Sequence, residues 1–257
     1  MAAVLVAWLS FMAPTKSAAD TENGMTLYLN YLPYRLTMES GSQYDLFLSE
    51  VFPERNAEVA LLAAPLQRAK YLFLENKNSC LFPSALAVFE GDGGTGSLLV
   101  SEPVDYLTLR LYTREPTHSD VALDGFAPSR LGVINGAVAS RLFGKKLSHY
   151  AVVSSEEQLI TMMELGRLDA IVGYHPDIAL AFEKHGKPDL VFAQNKFING
   201  FRYPLSFICH ENETGRHFIG SINETISKMN QSGRLLEILG PHADVAGSLE
   251  PARPLTE

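Results

Sequence analysis

Apolar residues recur along this chain in two spacings that alternate. Seven short stretches, rich in aliphatic, β-branched and aromatic residues and bounded by turn-forming residues, predict β-strands. They are "TLYLNYL" (26–32), "EVALLAA" (58–64), "SCLFPSALAVF" (79–89), "RLGVING" (130–136), "HYAVV" (149–153), "LDAIVGY" (168–174) and "YPLSFICHE" (203–211).

Between these stretches, apolar residues follow the spacing of amphipathic helices. Ser42 is placed to cap the first helix, and Pro65 opens the second at a position where proline is accepted. A capping box of Ser154 with Glu157 and a stop at Gly166 bound another helix. Further helices are predicted at 137–143, 175–186, 216–231 and 234–239.

The order of elements predicts two α/β units, each a mainly parallel sheet covered by helices. In open α/β sheets, ligands sit outside the carboxyl ends of the strands. If the two units face each other, their strand ends converge on one cleft. The strand-end pairs are Pro33-Tyr34, Pro83-Ser84, Asn135-Gly136, Ser154-Ser155 and Tyr174-His175.

Composition narrows the classes of partner. The chain has 257 residues, 46% of them hydrophobic, and a formal net charge of -8, which argues against nucleic acid or an anionic membrane surface. The seven histidines show no metal-ligand spacing, and no phosphate loop, nucleophile elbow or zinc-protease motif is present. We therefore predict no metal and no cofactor.

The first residues, "MAAVLVAWLSFMAPTKSAAD", have the hydrophobic core and small-residue cleavage site of a secretory signal peptide. We expect cleavage after Ala19, so that residues 1–19 are absent from the mature protein. The pattern lacks the basic segment of a typical signal peptide, because no Lys or Arg precedes the apolar run. The run is too short to span a bilayer. The sequence predicts an exported protein that does not span a membrane.

Cys80 and Cys209 each lie in an apolar run. Two buried thiols are the simpler interpretation, because a disulfide-stapled scaffold needs more cysteines. A single bridge between neighbouring strands is the alternative.

Several segments, in order from Leu27 to Gly240, carry a resemblance. "YLPYRLTMESGSQYDLFLSEVF" is similar to a first strand, aromatic loop and "G-x-x-x-D-L" helix, and "SEPVDYLTLRLYTRE" to an "S-x-P" strand entering a hinge. "RLGVINGAVASRLFG" is similar to a "G-V-x-x-G" turn, and "SSEEQLITMMELGRLDAIVGY" to a helix and strand ending "D-A-v-v-x-D". Together they resemble the extracellular solute-binding proteins of family 3, the periplasmic receptors of amino-acid-type ABC transporters.

The resemblance implies a two-lobed periplasmic-binding-protein-like fold of type II with two hinge crossovers. Lobe 1 would comprise residues 20–112 with 203–257, and lobe 2 residues 113–202. It also implies a periplasmic monomer that closes around a small-molecule ligand, with hinges near Leu109–Arg114 and Asn199–Tyr203, and then docks on an ABC transporter permease.

The chain departs from the family pattern where the family binds charge. Amino-acid binders carry an arginine before the "S-x-P" motif for the ligand carboxylate, yet Ser84 to Val100 contains no Arg or Lys. They also place an acidic residue after "D-A-v-v-x" for the ligand ammonium, and Tyr174 occupies that position. We therefore expect no binding of common α-amino acids through the usual pair of charges.

The predicted ligand-binding residues each have an alternative role. Tyr34 and Tyr174 are interpreted as cleft walls, or else pack on their own lobes. Gly136, between Asn135 and Ala137, either presents backbone N–H groups to an anion or only makes a turn. Arg68 either supplies the missing cation or is a surface residue. The predicted set is Tyr34, Arg68, Pro83, Ser84, Asn135, Gly136, Ala137, Tyr174 and Tyr203.

Arg202 is a weaker candidate for the cation, and His175 is interpreted as a residue at a helix start. Two other functions remain open. An enzyme on the same fold would need an acid–base pair, for which Tyr174 with His175 is the one nominee. A ligand-sensing partner of a membrane receptor is the other.

Overall fold

The computed structural model describes residues 24–37, 41–53, 59–90, 97–116 and 122–245. The predicted signal peptide, 1–19, lies outside these ranges, as do residues 91–96. The strands are β1 (Met25–Asn30), β2 (Val59–Ala64), β3 (Ser79–Ser84), β4 (Leu98–Val100), β5 (Asp105–Thr113), β6 (Leu131–Ile134), β7 (Ala151–Val153), β8 (Ala170–His175) and β9 (Phe192–His210). The helices are α1 (Gln43–Val51), α2 (Leu66–Glu75), α3 (Ala137–Phe143), α4 (Glu156–Glu164), α5 (Asp177–Lys184), α6 (Glu213–Gln231) and α7 (Arg234–Leu239).

Each lobe is built on three parallel strands. In the first lobe β1 lies between β2 and β3, and in the second lobe β6 lies between β7 and β8, all in parallel. Parallel neighbours need a crossover connection, and the intervening helices α1 and α2, then α3 and α4, provide it. The predicted α/β class with a helix-flanked sheet in each lobe is confirmed.

Two long strands join the lobes. β5 and β9 pair antiparallel with each other and complete the path β2-β1-β3-β9-β5-β8-β6-β7, with β4 also on β9. β9 extends over 19 residues, well beyond the predicted strand at 203–211, because its first part pairs with β5 beside the second lobe. These two strands are the two predicted crossovers.

Apolar side chains bury both faces of each sheet. In the first lobe, Phe47 of α1, Phe82 of β3 and Phe207 of β9 are wholly buried in one cluster, which α6 and α7 cover. In the second lobe, one cluster lies under α3 and another under α4 and α5. The carboxyl ends of the parallel strands are consequently held on rigid supports.

A disulfide joins Cys80 to Cys209. The two residues lie opposite each other on the antiparallel neighbours β3 and β9 and are fully buried. The interpretation as two free thiols was therefore wrong, because strand pairing brings together positions that are 129 residues apart.

The predicted capping box at α4 was also wrong by one residue. Ser155 occupies the N-cap position, whereas the backbone N–H and the hydroxyl of Ser154 both lie within hydrogen-bond distance of the Gln158 side-chain oxygen. Ser42 is the N-cap residue of α1, as predicted, but its hydroxyl bonds the Asp45 carboxylate and accepts from the Thr37 backbone N–H, and it caps no N–H of the helix. Gly166 does end α4, with a left-handed φ of 65°.

Within the described ranges, no helix combines the length and apolar character that a membrane span requires.

Candidate functional site

Unpaired polar atoms lie at the carboxyl end of the first-lobe sheet. Asn30 ends β1 and donates from Nδ2 to the Pro83 carbonyl at 3.3 Å, while Ser84 ends β3. Asn30 Oδ1, Ser84 Oγ and, on the facing strand, Ser206 Oγ are buried without a hydrogen-bond partner in the described part of the chain. A buried polar atom without a partner is costly, so three of them at one edge indicate a place for a polar ligand.

Tyr34 reaches from the first lobe to the second. It packs against the cluster under α4 and α5, and Lys184 Nζ lies 5.8 Å from its ring centroid. Burial, with the carboxylates of Glu156 and Glu157, raises the pKa of Tyr34 to about 12. Of its two predicted roles, packing on its own lobe does not fit, because its contacts cross the interface.

Arg35 was not among the predicted residues, and it contacts residues of both lobes. Nε bonds Asp177 at 2.9 Å, and Nη1 lies 3.1 Å from the Tyr44 hydroxyl and 3.5 Å from Asp105. Burial alone lowers the pKa of Arg35, but Asp177, Tyr44 and Asp105 outweigh it and raise the pKa. Because Asp177 begins α5, the Arg35–Asp177 pair joins the two lobes.

One nitrogen of the Arg35 guanidinium, Nη2, takes no part in this hydrogen-bond network. Nη2 is buried without a hydrogen-bond partner among the described residues. The only sequence signal for Arg35 is a lone cation between apolar residues, one position after the predicted Tyr34.

His175 is engaged on both ring nitrogens. Nε2 lies 2.9 Å from the His242 carbonyl, which only accepts, so Nε2 carries the proton and Nδ1 accepts from the Tyr112 hydroxyl at 2.8 Å. Burial, with Arg110 and His242, lowers the pKa of His175 to about 3. His175 and Tyr174 point to opposite faces of β8, as neighbours on a strand do. They do not form the acid–base pair on which the enzyme alternative depended.

Tyr174 and Tyr203 come together at the second-lobe side. Their ring centroids are 6.5 Å apart in an edge-to-face arrangement, and both pack against the cluster under α3. Burial and the neighbouring Tyr203 raise the pKa of Tyr174 to about 12. Arg141 of α3, which sequence reasoning missed, donates to the Tyr203 hydroxyl at 3.3 Å.

The remaining predicted residues are more scattered. Asn135 and Gly136 follow β6, and Gly136 has φ 156°, a conformation that favours glycine, before Ala137 begins the seven-residue α3. Arg68 lies exposed on α2 without an ion pair in the described structure. The ligand contacts proposed for these residues remain predictions.

Arg202 does not serve as a free cation. Its Nη2 lies 3.4 Å from Asp244 Oδ2, and its guanidinium stacks on Tyr106 with 3.8 Å to the ring centroid. The described residues contain no cluster of three or more side chains suited to a metal ion.

Comparison with known proteins gives structural likeness only. No protein-family model matches the chain, and no curated protein matches it in sequence. Solved structures do match. A substrate-binding protein of a polar amino acid ABC uptake transporter from Streptococcus thermophilus aligns with a TM-score of 0.63 and 17% identity, over 87% of this chain and 88% of that one.

Two further structures extend the likeness. An ancestral cationic amino acid solute-binding protein gives a TM-score of 0.63 and 12% identity over 85% of this chain and 94% of that one. The GluR0 ligand-binding core from Nostoc punctiforme, in complex with L-glutamate, aligns with a TM-score of 0.57 and 13% identity. The alignment covers 83% of this chain and 96% of that one. The chain therefore has the two-lobed fold of ligand-binding proteins such as these.

Proposed function

We propose that this chain is an exported solute-binding protein that captures a small organic molecule between its lobes and delivers it to a membrane transporter. The observation that carries the proposal is the set of buried, unpaired oxygens of Asn30, Ser84 and Ser206 at the strand ends of the first lobe. The neighbours named above, which are solute-binding proteins and a glutamate-binding core, support it by their fold.

Capture proceeds in this proposal by hinge closure. The lobes move as units, 20–112 with 203–257 against 113–202, about the crossovers near Leu109–Arg114 and Asn199–Tyr203. With these boundaries the chain passes between the lobes only at two extended strands, β5 and β9, which suits such bending. Tyr34 and Arg35 make contacts to the second lobe that belong to the closed arrangement.

Export from the cytoplasm is part of the proposal. The Cys80–Cys209 disulfide supports it, because such bonds persist in oxidising compartments. The apolar N-terminal segment supports it independently.

The experiment that tests the function combines binding with scattering. Native mass spectrometry of freshly purified protein identifies a co-purified small molecule, and its removal should lower the thermal midpoint and expand the molecule in small-angle X-ray scattering. Ser84→Val should weaken binding, whereas Ser49→Ala, on the exposed side of α1, should leave it unchanged. Chemical turnover of the ligand, or scattering profiles that coincide with and without it, would contradict the proposal.

A further inference from the structure

We propose that Arg141, Tyr203 and Tyr174 form a subsite for the carboxylate of a ligand that lacks an ammonium group. This inference rests on the proposed function and specifies its ligand class. The cation for the carboxylate would then stand on α3 of the second lobe, and the first-lobe segment 84–100, which has no Arg or Lys, would not provide it.

Strand register brings the two tyrosines to one face. Tyr174 lies opposite Leu109 of β5, and Tyr203 lies opposite Leu107 on the other side of the same strand. Positions 107 and 109 share a face, so both phenol rings project to the side covered by α3. The subsite thus combines residues of β8, β9 and α3.

A bulge in β9 positions Arg141. Thr108 pairs with Arg202 and Arg110 with Phe197, so four residues of β9, 198–201, face a single residue of β5. The Phe201 ring supports the Arg141 guanidinium at 4.7 Å from its centroid, and the Gly200 carbonyl accepts from Nη2 at 3.5 Å. These contacts orient the guanidinium without neutralising it.

At the subsite formed by Arg141, Tyr203 and Tyr174, hydrogen-bond donors outnumber the acceptors that they contact. Both hydrogen-bond partners of Arg141 are neutral and distant, at 3.3 and 3.5 Å, and no carboxylate of the described residues pairs with it. Tyr203 accepts from Arg141, so its own O–H proton is free, and the Tyr174 hydroxyl has no hydrogen-bond partner in the part of the chain described. A cationic fork beside two hydroxyl donors suits a carboxylate, which only accepts.

An ammonium group finds no matching carboxylate among the described residues at this subsite. Tyr174 stands where the resembling family has an acidic residue, and the nearby Asp177 is already paired with the buried Arg35. Glu156 and Glu157 lie beside Tyr34, on the face of the second lobe covered by α4 and α5. The aromatic walls of Tyr174 and Tyr203 favour an apolar or aromatic body behind the carboxylate.

Calorimetry on the purified full chain tests the inference with three probes of one shape: benzoate, benzamide and benzylamine. Benzoate should bind, and the neutral and cationic probes should bind at least about tenfold more weakly. Arg141→Gln should abolish the preference for benzoate, Arg141→Lys should retain part of it, and Tyr203→Phe should weaken it. Arg216→Gln is the matched control, because Arg216 is an exposed arginine of α6 that is paired with Glu211.

Three results would overturn the inference. The first is that benzoate binds no better than benzamide. The second is that Arg68→Gln, and not Arg141→Gln, removes benzoate binding. The third is that Arg141→Gln lowers the thermal midpoint while affinity for benzoate stays the same. If native mass spectrometry finds a neutral or cationic ligand and scattering shows that the lobes close on it, this inference is contradicted and the proposed function is supported. Absence of any bound molecule together with unchanged scattering would contradict both.

Discussion

The charge states of the buried side chains Arg35 and His175 depend on the groups to which each is hydrogen-bonded. Arg35 is completely buried, yet it stays charged because Asp177, Asp105 and the Tyr44 hydroxyl surround it. His175 is also buried, but its partners are a carbonyl and a hydroxyl, which satisfy the neutral ring. The difference follows from the partners, since burial disfavours the charged form of both groups.

We predict that acidification weakens the fold through His175. Its pKa of about 3 lies below the ordinary value of 6.5, so between these values the unfolded chain binds a proton that the folded chain rejects. Stability is full above pH 6.5 and falls as the pH drops towards 3, by up to about 1.4 kcal/mol per unit. Urea unfolding at pH 7 and pH 5 should show a loss roughly 2 kcal/mol larger for wild type than for His175→Gln.

Comparing wild type with His175→Gln cancels the contributions of the other titratable groups, because both proteins contain them. The neighbouring Arg110 and Arg35 stay charged in this range, and the exposed His242–Glu183 pair is present in both. His217→Gln, an exposed histidine on α6, should keep the wild-type pH dependence. Equal losses for wild type and His175→Gln would refute the assignment.

Among the elements, β9 has the largest effect on the site. Its bulge at 198–201 breaks the pairing with β5 and turns Gly200 and Phe201 towards α3. A bulge kinks a strand and redirects its side chains, and here it meets the Arg141 guanidinium. Gly200 has φ 80°, which is open to glycine and unfavourable for other residues.

We predict opposite effects for two glycine substitutions. Gly200→Ala should destabilise the protein by about 1–2 kcal/mol, because alanine pays for the left-handed backbone. A new Cβ would lie 3.7 Å from Arg141 Nη2, an ordinary contact, so the backbone and not crowding is the cause. Gly220→Ala, within α6 and with open space around it, should stabilise by about 0.5–1 kcal/mol. Denaturant midpoints measure both, and a neutral Gly200→Ala would mean that the bulge adjusts freely.

At the scale of the whole molecule, α5 contacts the first lobe near both of its ends. Asp177 pairs with Arg35 at its first residue, and near its end Glu183 bonds His242 at 2.6 Å while Lys184 lies over Tyr34. The exposed His242 pair contributes little, whereas the Arg35 pair is buried. Of these two ion pairs, Arg35–Asp177 therefore contributes more to the contact between the lobes.

We predict that Asp177→Ala opens the molecule. Removing one partner leaves the buried Arg35 guanidinium short of countercharge between the lobes, at a cost of about 3–5 kcal/mol that separation of the lobes relieves. Small-angle scattering should report a larger radius of gyration. Asp169→Ala, which breaks an Arg130 pair within the second lobe, should leave the radius unchanged. A profile for Asp177→Ala that superposes on wild type would contradict the interlobe role.

Local patterns in the sequence were sufficient for most of the elements and for the fold class, but they predicted neither the short β4 nor the first part of β9. The face of α1 formed by Tyr44, Phe47 and Leu48, the opening of α2 after Pro65 and the left-handed stop at Gly166 all follow from spacing and backbone chemistry. Because strand–helix–strand order constrains neighbours to be parallel, the same patterns also predicted that Ser84 and Tyr174 lie at strand ends.

Tertiary structure alone decided which distant side chains meet. Arg35 bonds residues 70 and 142 positions away, Cys80 bonds Cys209, and Tyr203 reaches Tyr174 only through the register of both strands on β5. The position of Arg141 depends on the bulge in β9, which the spacing of residues in the sequence did not predict. Apolar periodicity specifies which face of an element is buried, but the free energy that selects a register or an ion pair comes from groups far apart in the chain, and those groups become neighbours only when the lobes assemble.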